Sequence, residues 1–395
     1  MQYCEFLENY RVYTSGNETP ELVHLWVGLS TLAGAAERKL WVDRGLFELH
    51  LNLYILFLAP PGVCAKSVSM GLGLDMLKEA GYATLEDSVL KERIIEEMCE
   101  AEKTFEAPSG EQFRHSSITF FADELPVLLA SGVDMVKFLV AIYSKKHVYQ
   151  YRTKNSGIYE VTHPFFNFAA NAVPQWFGAS VASDMATTGF LARCVIVYED
   201  QKRAPVPHPI VTQKQKRARK RAMQIIYKLS DFYGNIPLSP EANDFYDKWY
   251  VKQKISPMED PRIASYLERR TKAHVLKVAA LMALGDLRQI ITVKDLQRAI
   301  HIIIRTEEKM RMAYMISGAN KLAPYVPRIL AMIDSLGGKA ALSELISAVY
   351  TELTSEEFKS LLSMMYQMGE IAPETIGSIK YVRRVKHGES IRFPN

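Results

Sequence analysis

The chain has 395 residues, with 48 lysines and arginines against 44 aspartates and glutamates. Hydrophobic residues make up 48% and charged residues 23%, a globular composition that excludes disordered and collagen-like architectures. This length predicts about two to three domains. The four cysteines are spaced for neither a disulfide framework nor a zinc site. Because no early apolar run is long enough to span a membrane and no secretory signal is evident, we expect a soluble, cytoplasmic protein without membrane contact.

The sequence predicts four segments. Residues 1–50 are mostly helical, and residues 51–204 alternate apolar strands with helices, which predicts an α/β core with a mainly parallel sheet. Residues 205–320 begin with a proline-rich linker and are then nearly all helical, so we expect a helical lid or linker region. Residues 321–395 predict three short helices and a β-hairpin, the order of a winged helix-turn-helix.

Four apolar runs in the core predict strands that are buried on both faces. They are Leu53–Leu58, Ser116–Ala122, Pro164–Ala170 and Leu191–Tyr198. A helix is predicted after the first run, from Ser67 to about Ala80. The links between these strands and the helices that follow are where polar, chemistry-bearing residues are expected.

The link after the first strand, residues 59–67, reads Ala-Pro-Pro-Gly-Val-Cys-Ala-Lys-Ser. A phosphate loop needs inward N–H groups, a lysine on the β/γ oxygens and a hydroxyl on Mg²⁺; Lys66 and Ser67 supply the last two. Pro60 and Ala65 stand at the glycine positions of G-x-x-x-x-G-K-[ST], and Gly62 remains to take a positive φ. The alternative is a strained strand–helix turn with a surface lysine. The loop residues predicted to contact ATP are Pro61, Gly62, Val63, Cys64, Ala65, Lys66 and Ser67.

The second strand ends in a pair of acids, Asp123 and Glu124. An ATPase needs one carboxylate for the water shell of Mg²⁺ and a neighbouring one that polarises the attacking water. Asp123 fits the first role and Glu124 the second, so Ser67 and Asp123 form the predicted Mg²⁺ site. The alternative is that the acids cap the helix that begins near Leu125.

Two further side chains are candidates for contact with the γ-phosphate. Asn171, at the tip of the third strand, is placed to orient the water, and an Asx-turn before Pro174 is the alternative. Arg193 lies in the fourth strand region, where a buried guanidinium needs a partner. The γ-phosphate of an adjacent subunit would make Arg193 an arginine finger in trans, and an intrachain salt bridge is the alternative.

A third arginine is predicted to reach the nucleotide from the helical lid. Arg269 and Arg270 begin a long helix, and Arg270 shares a helix face with Ala273 and Lys277. We therefore prefer Arg270 as the nucleotide contact.

The basic segments are candidate nucleic-acid surfaces. Residues 147–153 and 158–163 alternate around the turn 154–157, which predicts a β-hairpin, and an edge hairpin protected by lysines is the alternative to DNA contact. The predicted DNA-contacting bases of this hairpin are Lys145, Lys146, Arg152 and Lys154. The run from Lys214 to Arg221 holds six bases, which predicts a solvated helix face or a polyanion contact.

The C-terminal segment offers a weaker DNA surface. Its predicted recognition helix, Ser355–Met368 with Ser355 as N-cap, carries two glutamates against one lysine and complements phosphate poorly. Winged helices contact either DNA or protein, and both readings stay open. The basic residues of the predicted wing are Lys380, Arg383 and Arg384.

In their order along the chain, these motifs resemble phage-, plasmid- and prophage-borne AAA+ P-loop ATPases of the superfamily III and minichromosome-maintenance-like helicase type. The resemblance covers residues 20–310 and is carried by Trp26 to Trp41, Asn52-Leu53-Tyr54, Pro60-Pro61-Gly62…Lys66-Ser67, Ala122-Asp123-Glu124, the 147–163 hairpin, Asn171…Pro174, Gly189 to Arg193 and Arg270…Lys277. It implies an AAA+-like core with Walker A at Lys66 and Ser67, Walker B at Asp123 and Glu124, and sensor 1 at Asn171. It also implies a trans arginine finger at Arg193 and sensor 2 near Arg270. The hairpin tipped by Lys154 would grip DNA. The absent Walker glycines are the main departure from the family's pattern.

The sequence and the resemblance together predict an ATP-dependent, ring-forming DNA translocase or helicase for replication of a phage or mobile element. The expected ligands are ATP and Mg²⁺. The expected partners are single- or double-stranded DNA, further copies in a homo-hexamer, and a replication initiator or primase. Two alternatives stay open: an ATP-binding, DNA-binding initiator or helicase loader with little unwinding activity, and a nucleotide-free scaffold.

Overall fold

The chain folds into two compact units, residues 1–313 and 314–395. The predicted α/β core lies in the first unit together with the helical segments that flank it in sequence. The described helices of the chain contain no span long and apolar enough to cross a membrane. The computed structural model describes residues 3–86, 90–107, 110–153, 157–174, 189–256, 259, 261–316, 322, 325–376 and 379–385.

Helices and strands alternate through most of the first unit. Its described helices are α1 (Glu5–Tyr13), α2 (Glu21–Ala36), α3 (Lys66–Glu79), α4 (Lys91–Glu100), α5 (Leu125–Leu128), α6 (Val133–Tyr143), α7 (Phe190–Arg193), α8 (Gln213–Lys228), α9 (Pro240–Tyr250), α10 (Pro261–Arg269), α11 (Val275–Gly285) and α12 (Val293–Ile316). Its described strands are β1 (Leu40–Asp43), β2 (Glu48–His50), β3 (Tyr54–Leu58), β4 (Thr84–Glu86), β5 (Glu102–Glu106), β6 (Gln112–Ala122), β7 (Val148–Thr153), β8 (Gly157–Thr162), β9 (Pro164–Ala172), β10 (Cys194–Tyr198) and β11 (Gly234–Asn235).

The central sheet has the strand order β10-β3-β9-β6-β4, all parallel, with β5 pairing antiparallel to β6. Every residue of β3, β9 and β10 is buried, as expected for parallel strands that are covered on both faces. The prediction of an α/β core with a mainly parallel sheet is therefore confirmed.

The fourth predicted strand begins later than the sequence suggested. Residues 190–193 form the short helix α7, and the strand starts at Cys194. Gly189 takes the left-handed conformation (φ 72°, ψ 14°), which turns the chain into this helix. The Arg193 guanidinium donates to the Gly189 carbonyl oxygen at 2.8 Å. Arg193 therefore ends a helical turn and is not part of the strand.

Helix α2 packs against α3 and supports the turn from which α3 begins. The two helices approach closely at Gly73, where an added Cβ would lie 2.6 Å from Thr31 Oγ1 and 2.7 Å from Val27 Cγ1. The indole N–H of Trp26 donates to Thr306 Oγ1 at 2.8 Å, which fixes α2 to α12. α2 is thus held by helices on two sides.

The predicted hairpin of residues 147–163 is present as β7 and β8, which pair antiparallel from Val148↔Thr162 to Thr153↔Gly157. Its turn, with Lys154, Asn155 and Ser156, lies outside the described residues.

The second unit consists of helices packed on a small antiparallel sheet with the order β12-β14-β13. The predicted order of three helices and a hairpin is confirmed, and the structure adds the short strand β12 between the first two helices. Thr354, not Ser355, is the N-cap of the third helix, because its hydroxyl accepts from the Glu357 N–H while the Glu357 carboxylate accepts from Thr354. The elements are α13 (Tyr325–Ser335), β12 (Lys339–Ala341), α14 (Leu342–Val349), α15 (Ser355–Gln367), β13 (Ile371–Ile376) and β14 (Ile379–Arg384).

Two glycines of α3 test how closely α2 and α3 pack. Gly73→Ala should lower the free energy of unfolding by about 1–3 kcal/mol, because the new methyl group meets Thr31 and Val27. Gly71→Ala, in the same helix with nothing within 4 Å of its added Cβ, should raise it by about 0.5–1 kcal/mol through helix propensity. Urea unfolding of both variants measures the difference. Equal effects of the two substitutions would contradict the packing described here.

Candidate functional site

A cavity of about 470 Å³ opens at the carboxyl edge of the central sheet, where β3, β9 and β6 end. In parallel sheets ligands bind at this edge. The strand register explains why the polar strand ends meet here: Phe57 pairs with Asn171, and Ala122 pairs with Ala170. The cavity is lined by the loop residues 60–68 and by Asp123, Glu124 and Asn171. It thus brings together the seven predicted loop contacts, residues 61–67, with Asp123, Glu124 and Asn171.

The loop backbone has two left-handed residues. Gly62 has φ 72°, as predicted, and Ala65 has φ 38° and ψ 45° immediately before α3. This conformation costs a non-glycine residue about 1–2 kcal/mol. The buried Thr19 hydroxyl donates to the Ala65 carbonyl oxygen at 3.2 Å and holds the strained residue from the far side of the loop. Ala65 therefore has the conformation that a glycine would take at this position without strain.

The Lys66 ammonium group rests on the protein's own backbone. It donates to the carbonyl oxygens of Ala59 at 3.0 Å and Ala172 at 2.9 Å, at the ends of β3 and β9. Burial lowers the pKa of Lys66 to about 8. An anion in the cavity would compensate this partly desolvated charge better than two carbonyl dipoles do.

The two acids at the end of β6 are exposed to the cavity. Glu124 directly precedes α5, but its carboxylate does not cap that helix. Within the described residues, neither Asp123 nor Glu124 has an ion pair or a side-chain hydrogen bond. Helix capping by Glu124, the alternative explanation of the pair, is thus not what the structure shows.

Asn171, near the end of β9, contacts the hydroxyl group of Ser67 in the first turn of α3. Its Nδ2 lies 3.4 Å from Ser67 Oγ, and its buried Oδ1 has no hydrogen-bond partner within the described structure. Buried amide oxygens are nearly always paired. The unpaired oxygen at the cavity wall therefore indicates a site for a water or a ligand group.

These residues fit a magnesium nucleotide. Mg²⁺ prefers one or two carboxylates, waters and substrate phosphates over a cage of protein ligands. Ser67 and Asp123 supply a hydroxyl and a carboxylate on the same cavity. The described residues contain no group of three or more His, Cys, Asp or Glu arranged to hold a metal ion by themselves.

Arg193 lies at the opposite, amino edge of the sheet. Cys194 pairs with Tyr54, and Tyr198 pairs with Leu58 beside the phosphate loop. Four residues of strand, about 13 Å, separate the two levels. The Arg193 guanidinium packs over the Tyr143 ring at 5.7 Å, so it cannot serve the phosphate pocket of its own chain.

Arg270 is not brought to the phosphate cavity either. Its guanidinium forms an ion pair with Glu307 at 2.8 Å and donates to the side chain of Gln253 at 2.9 Å. It sits in a π-helical turn, residues 270–274, between α10 and α11. Because the hydrogen bonds of a π-helix span one more residue than those of an α-helix, Arg270 and Lys277 do not share the helix face that regular α-helical spacing predicted.

Glu18 also lines the cavity at the carboxyl edge and was not predicted as a site residue. Its carboxylate accepts from the Val206 N–H at 2.9 Å and from Lys202 Nζ at 3.2 Å, and so ties the segment after β10 to the loop before α2. Its distance along the chain from every other site residue left no pattern to detect.

The basic hairpin turns one face to solvent. Lys145, Lys146 and Arg152 are exposed, whereas Tyr151 and Tyr159 donate from the other face to glutamates of α4. The cationic side of the hairpin is therefore accessible. Lys154, the fourth predicted DNA contact, lies outside the described residues.

The other basic segments differ in how their charges are used. On α8, Arg219 pairs with Glu79, while the remaining bases of the run 214–221 are exposed. In the second unit Lys380 is exposed, and Arg384 pairs with Glu370 at 3.4 Å. Arg383, also on β14, is half-buried. The wing therefore offers less accessible positive charge than the sequence suggested.

No protein-family model matches the chain, and no curated protein matches its sequence. The class that the structure defines is an α/β protein whose mainly parallel sheet is compatible with a P-loop-like core.

Strain at Ala65 can be measured directly. Ala65→Gly should raise the free energy of unfolding by about 0.5–1 kcal/mol, because relief of about 1–2 kcal/mol of left-handed strain exceeds the ~0.4–1 kcal/mol of added unfolded-state entropy. Ala80→Gly, at a position with φ −85°, is the matched control and should lower it by about 0.5–1 kcal/mol. Thermal or urea unfolding measures both, and a loss of stability in Ala65→Gly would contradict the loop conformation.

Proposed function

We propose that this protein is a ring-forming ATPase that moves along DNA and unwinds it during replication of a phage or other mobile element. The observation that carries the proposal is the cavity at the carboxyl edge of the sheet. There a lysine, a hydroxyl, an amide and two carboxylates that have no partner among the described residues meet at the ends of three neighbouring parallel strands. This is the set of groups that phosphoryl transfer from ATP to water requires.

The strand order supports an AAA+-like core. Counted along the chain, the parallel strands β10-β3-β9-β6-β4 are the fifth, first, fourth, third and second. The strand that bears Asn171 thereby lies between the strand of the phosphate loop and the strand of the acids. This is the placement that the resemblance to AAA+ ATPases leads us to expect of sensor 1.

In the proposed reaction Lys66 leaves the carbonyls of Ala59 and Ala172 and neutralises the β- and γ-phosphate oxygens. Ser67 and Asp123 would hold Mg²⁺ when it is bound, and the ion would supply positive charge against the phosphate oxygens. Glu124 polarises that water, and Asn171 orients it from the neighbouring strand. Arg193, at the far edge of the sheet, acts on the nucleotide of an adjacent subunit.

Two surfaces support DNA as the substrate. The exposed bases at the hairpin suit sequence-independent contact with a phosphate backbone in the channel of a ring. In the second unit, three helices and a three-stranded antiparallel sheet follow in the order of a winged helix. This unit suits contact with duplex DNA or with a replication partner such as an initiator or a primase.

A second function, an ATP-binding initiator or helicase loader with little unwinding, is favoured by one observation. Lys66 is already hydrogen-bonded to two carbonyls, and a proline and a strained alanine stand where phosphate loops carry glycine. Such a loop favours binding over rapid turnover. Strand displacement on a forked substrate separates the two functions, with Glu124→Gln as the hydrolysis-deficient control.

The charge on Lys66 predicts the pH dependence of ATP binding. Its pKa of about 8 means that the free protein loses this charge above pH 8, whereas bound phosphate favours the charged form. The dissociation constant of ATP should therefore rise about tenfold from pH 7 to pH 9. Calorimetric titration measures it. Lys66→Ala should lose most of the affinity, and tight, pH-independent binding by that variant would rule out the site.

The position of Arg193 predicts a separation of binding from turnover. Arg193→Ala should bind ATP nearly as tightly as the unmodified chain and should lose about 10³-fold or more in turnover, as expected of an arginine finger. Steady-state hydrolysis and ATP titration measure the two. Arg93→Ala, an exposed arginine that pairs with Glu96 on α4, is the control and should change neither. Equal losses of binding and turnover in Arg193→Ala would argue against a role in trans.

A further inference from the structure

A second cavity, of about 490 Å³, lies at the amino edge of the central sheet, opposite the phosphate loop. Its wall is formed by Asn52 before β3, Tyr143 at the end of α6, Arg269 at the end of α10 and Lys277 in α11. The volume is that of a site for a nucleotide-sized ligand. Lys146, a predicted DNA contact, also lines it, and it shares none of its described lining residues with the cavity at the carboxyl edge.

Three cations converge on one ring at the wall of this cavity. Lys277 Nζ lies 4.3 Å from the centre of the Tyr143 ring, and the guanidinium carbons of Arg269 and Arg193 lie at 5.0 and 5.7 Å. Burial alone would raise the pKa of the Tyr143 hydroxyl, but the charges of Lys277 and Arg269 lower it overall. The local field is therefore strongly positive.

Lys277 is itself fully buried and supplies charge but no spare hydrogen bond. Its three donors are taken by the Asn52 carbonyl oxygen at 2.8 Å, by Asn52 Oδ1 at 2.9 Å and by the Tyr143 hydroxyl at 3.0 Å. These bonds lock Tyr143 and Lys277 in place. Arg269, on the cavity wall, also hydrogen-bonds the Tyr143 side chain, and its remaining N–H groups are the donors available to a ligand.

Acidic residues do not balance these cations. Of the two carboxylates that line the cavity, Glu268 pairs with Lys272 at 2.8 Å, and Glu48 is exposed with His50 3.6 Å away. Among the described residues no carboxylate pairs with Arg193, Arg269 or Lys277. The Nε atoms of Arg193 and Arg269 are also buried and have no hydrogen-bond partner in the part of the chain that the structure describes. Holding such charges away from water without a counter-charge is costly, so the arrangement calls for an anion.

We propose that this second cavity binds a phosphoryl group, with Arg269 as the donor and Lys277 and Arg193 as the surrounding positive charge. A planar guanidinium can give two parallel hydrogen bonds to a phosphate, which a lysine cannot do. The phosphoryl group can come from a free polyphosphate or nucleotide, or from the nucleotide held by an adjacent copy of the chain. The second source rests on the proposed function, and the first does not.

The test uses the full chain with Lys66→Ala, so that the phosphate loop does not contribute. Calorimetry with inorganic tripolyphosphate should then show one site per chain, and adding Arg269→Gln should weaken binding about tenfold or more. Adding Lys248→Gln, an exposed lysine paired with Asp244 on α9, is the control and should leave binding unchanged. Citrate binding as tightly as tripolyphosphate would overturn the assignment to a phosphoryl group.

A spectroscopic signal covers the case in which Arg269→Gln unfolds. Bound phosphate should raise the pKa of Tyr143, because it offsets the cations that stabilise the phenolate. The alkaline titration at 295 nm should shift upward with tripolyphosphate in the Lys66→Ala chain and should not shift when Tyr143→Phe is added. An identical shift in the Tyr143→Phe chain would place the anion elsewhere and overturn the proposal.

Mixing two variants identifies the source of the phosphate. If it comes from an adjacent copy, Lys66→Ala chains carry an intact Arg269 and should restore ATP turnover to Arg269→Gln chains above the level of either alone. If it is free, tripolyphosphate binds the Lys66→Ala chain with an affinity that is independent of protein concentration. Both results are compatible with the second site and differ only in the source of the phosphate. ATP binding at Lys66 is measured separately in the unmodified chain, so that failure of the proposed function is distinguished from failure of the second site.

Discussion

The in-register pairing of β3 with β9 and of β9 with β6 is the constraint on which the rest of the structure depends. These strands are buried on both faces, so they can carry polar chemistry only where they end. The pairs Phe57↔Asn171 and Ala122↔Ala170 bring the three strand ends to one level. A slip of one residue in β9 would turn Asn171 to the opposite face and remove its contact with Ser67.

The same sheet separates two kinds of charged site. At its carboxyl edge the half-buried Lys66 lies on the same cavity as two exposed acids, an arrangement that suits a metal bound together with phosphates. At its amino edge three cations surround Tyr143, and none of them pairs with an acid among the described residues, an arrangement that suits an anion alone. About 13 Å of strand separates the two sites, so the electrostatic interaction between their charges is weaker than the interactions within each site. In a ring of identical subunits, opposite edges of neighbouring copies can meet.

The sequence predicted the parts of the fold in which one local pattern determines the structure. The continuous apolar runs gave the buried strands, and Gly62 was identified as the loop residue with positive φ. Short or polar strands such as β4 and β12 were missed, because three residues carry no readable periodicity. The helical turn before β10 was missed because Leu191 and Ala192 fit an apolar strand as well as a helix.

The two cavities could be predicted from the sequence to different extents, again because only local patterns can be recognised in it. The phosphate cavity is formed largely by residues that directly follow recognisable strands, so order along the chain pointed to it. The second cavity joins residues from three separate parts of the chain, at Asn52, at Tyr143 and between Arg269 and Lys277. Only the distances among these side chains in the structure show that they form one site. Arg270 shows the converse: regular helical spacing assigned it to the nucleotide, whereas a π-helical turn and an ion pair with Glu307 hold it elsewhere.

The loop before α3 holds an alanine in a left-handed conformation that glycine adopts without strain. Ala65 holds left-handed angles because contacts on both sides fix it: α3 starts at the next residue, and the buried Thr19 hydroxyl binds its carbonyl oxygen. Strained residues persist where the surrounding structure over-determines them, and they cluster at functional sites. The strained Ala65 directly precedes Lys66, and Asn171 Oδ1, which has no partner among the described residues, lines the same cavity. The strain therefore coincides with the candidate site.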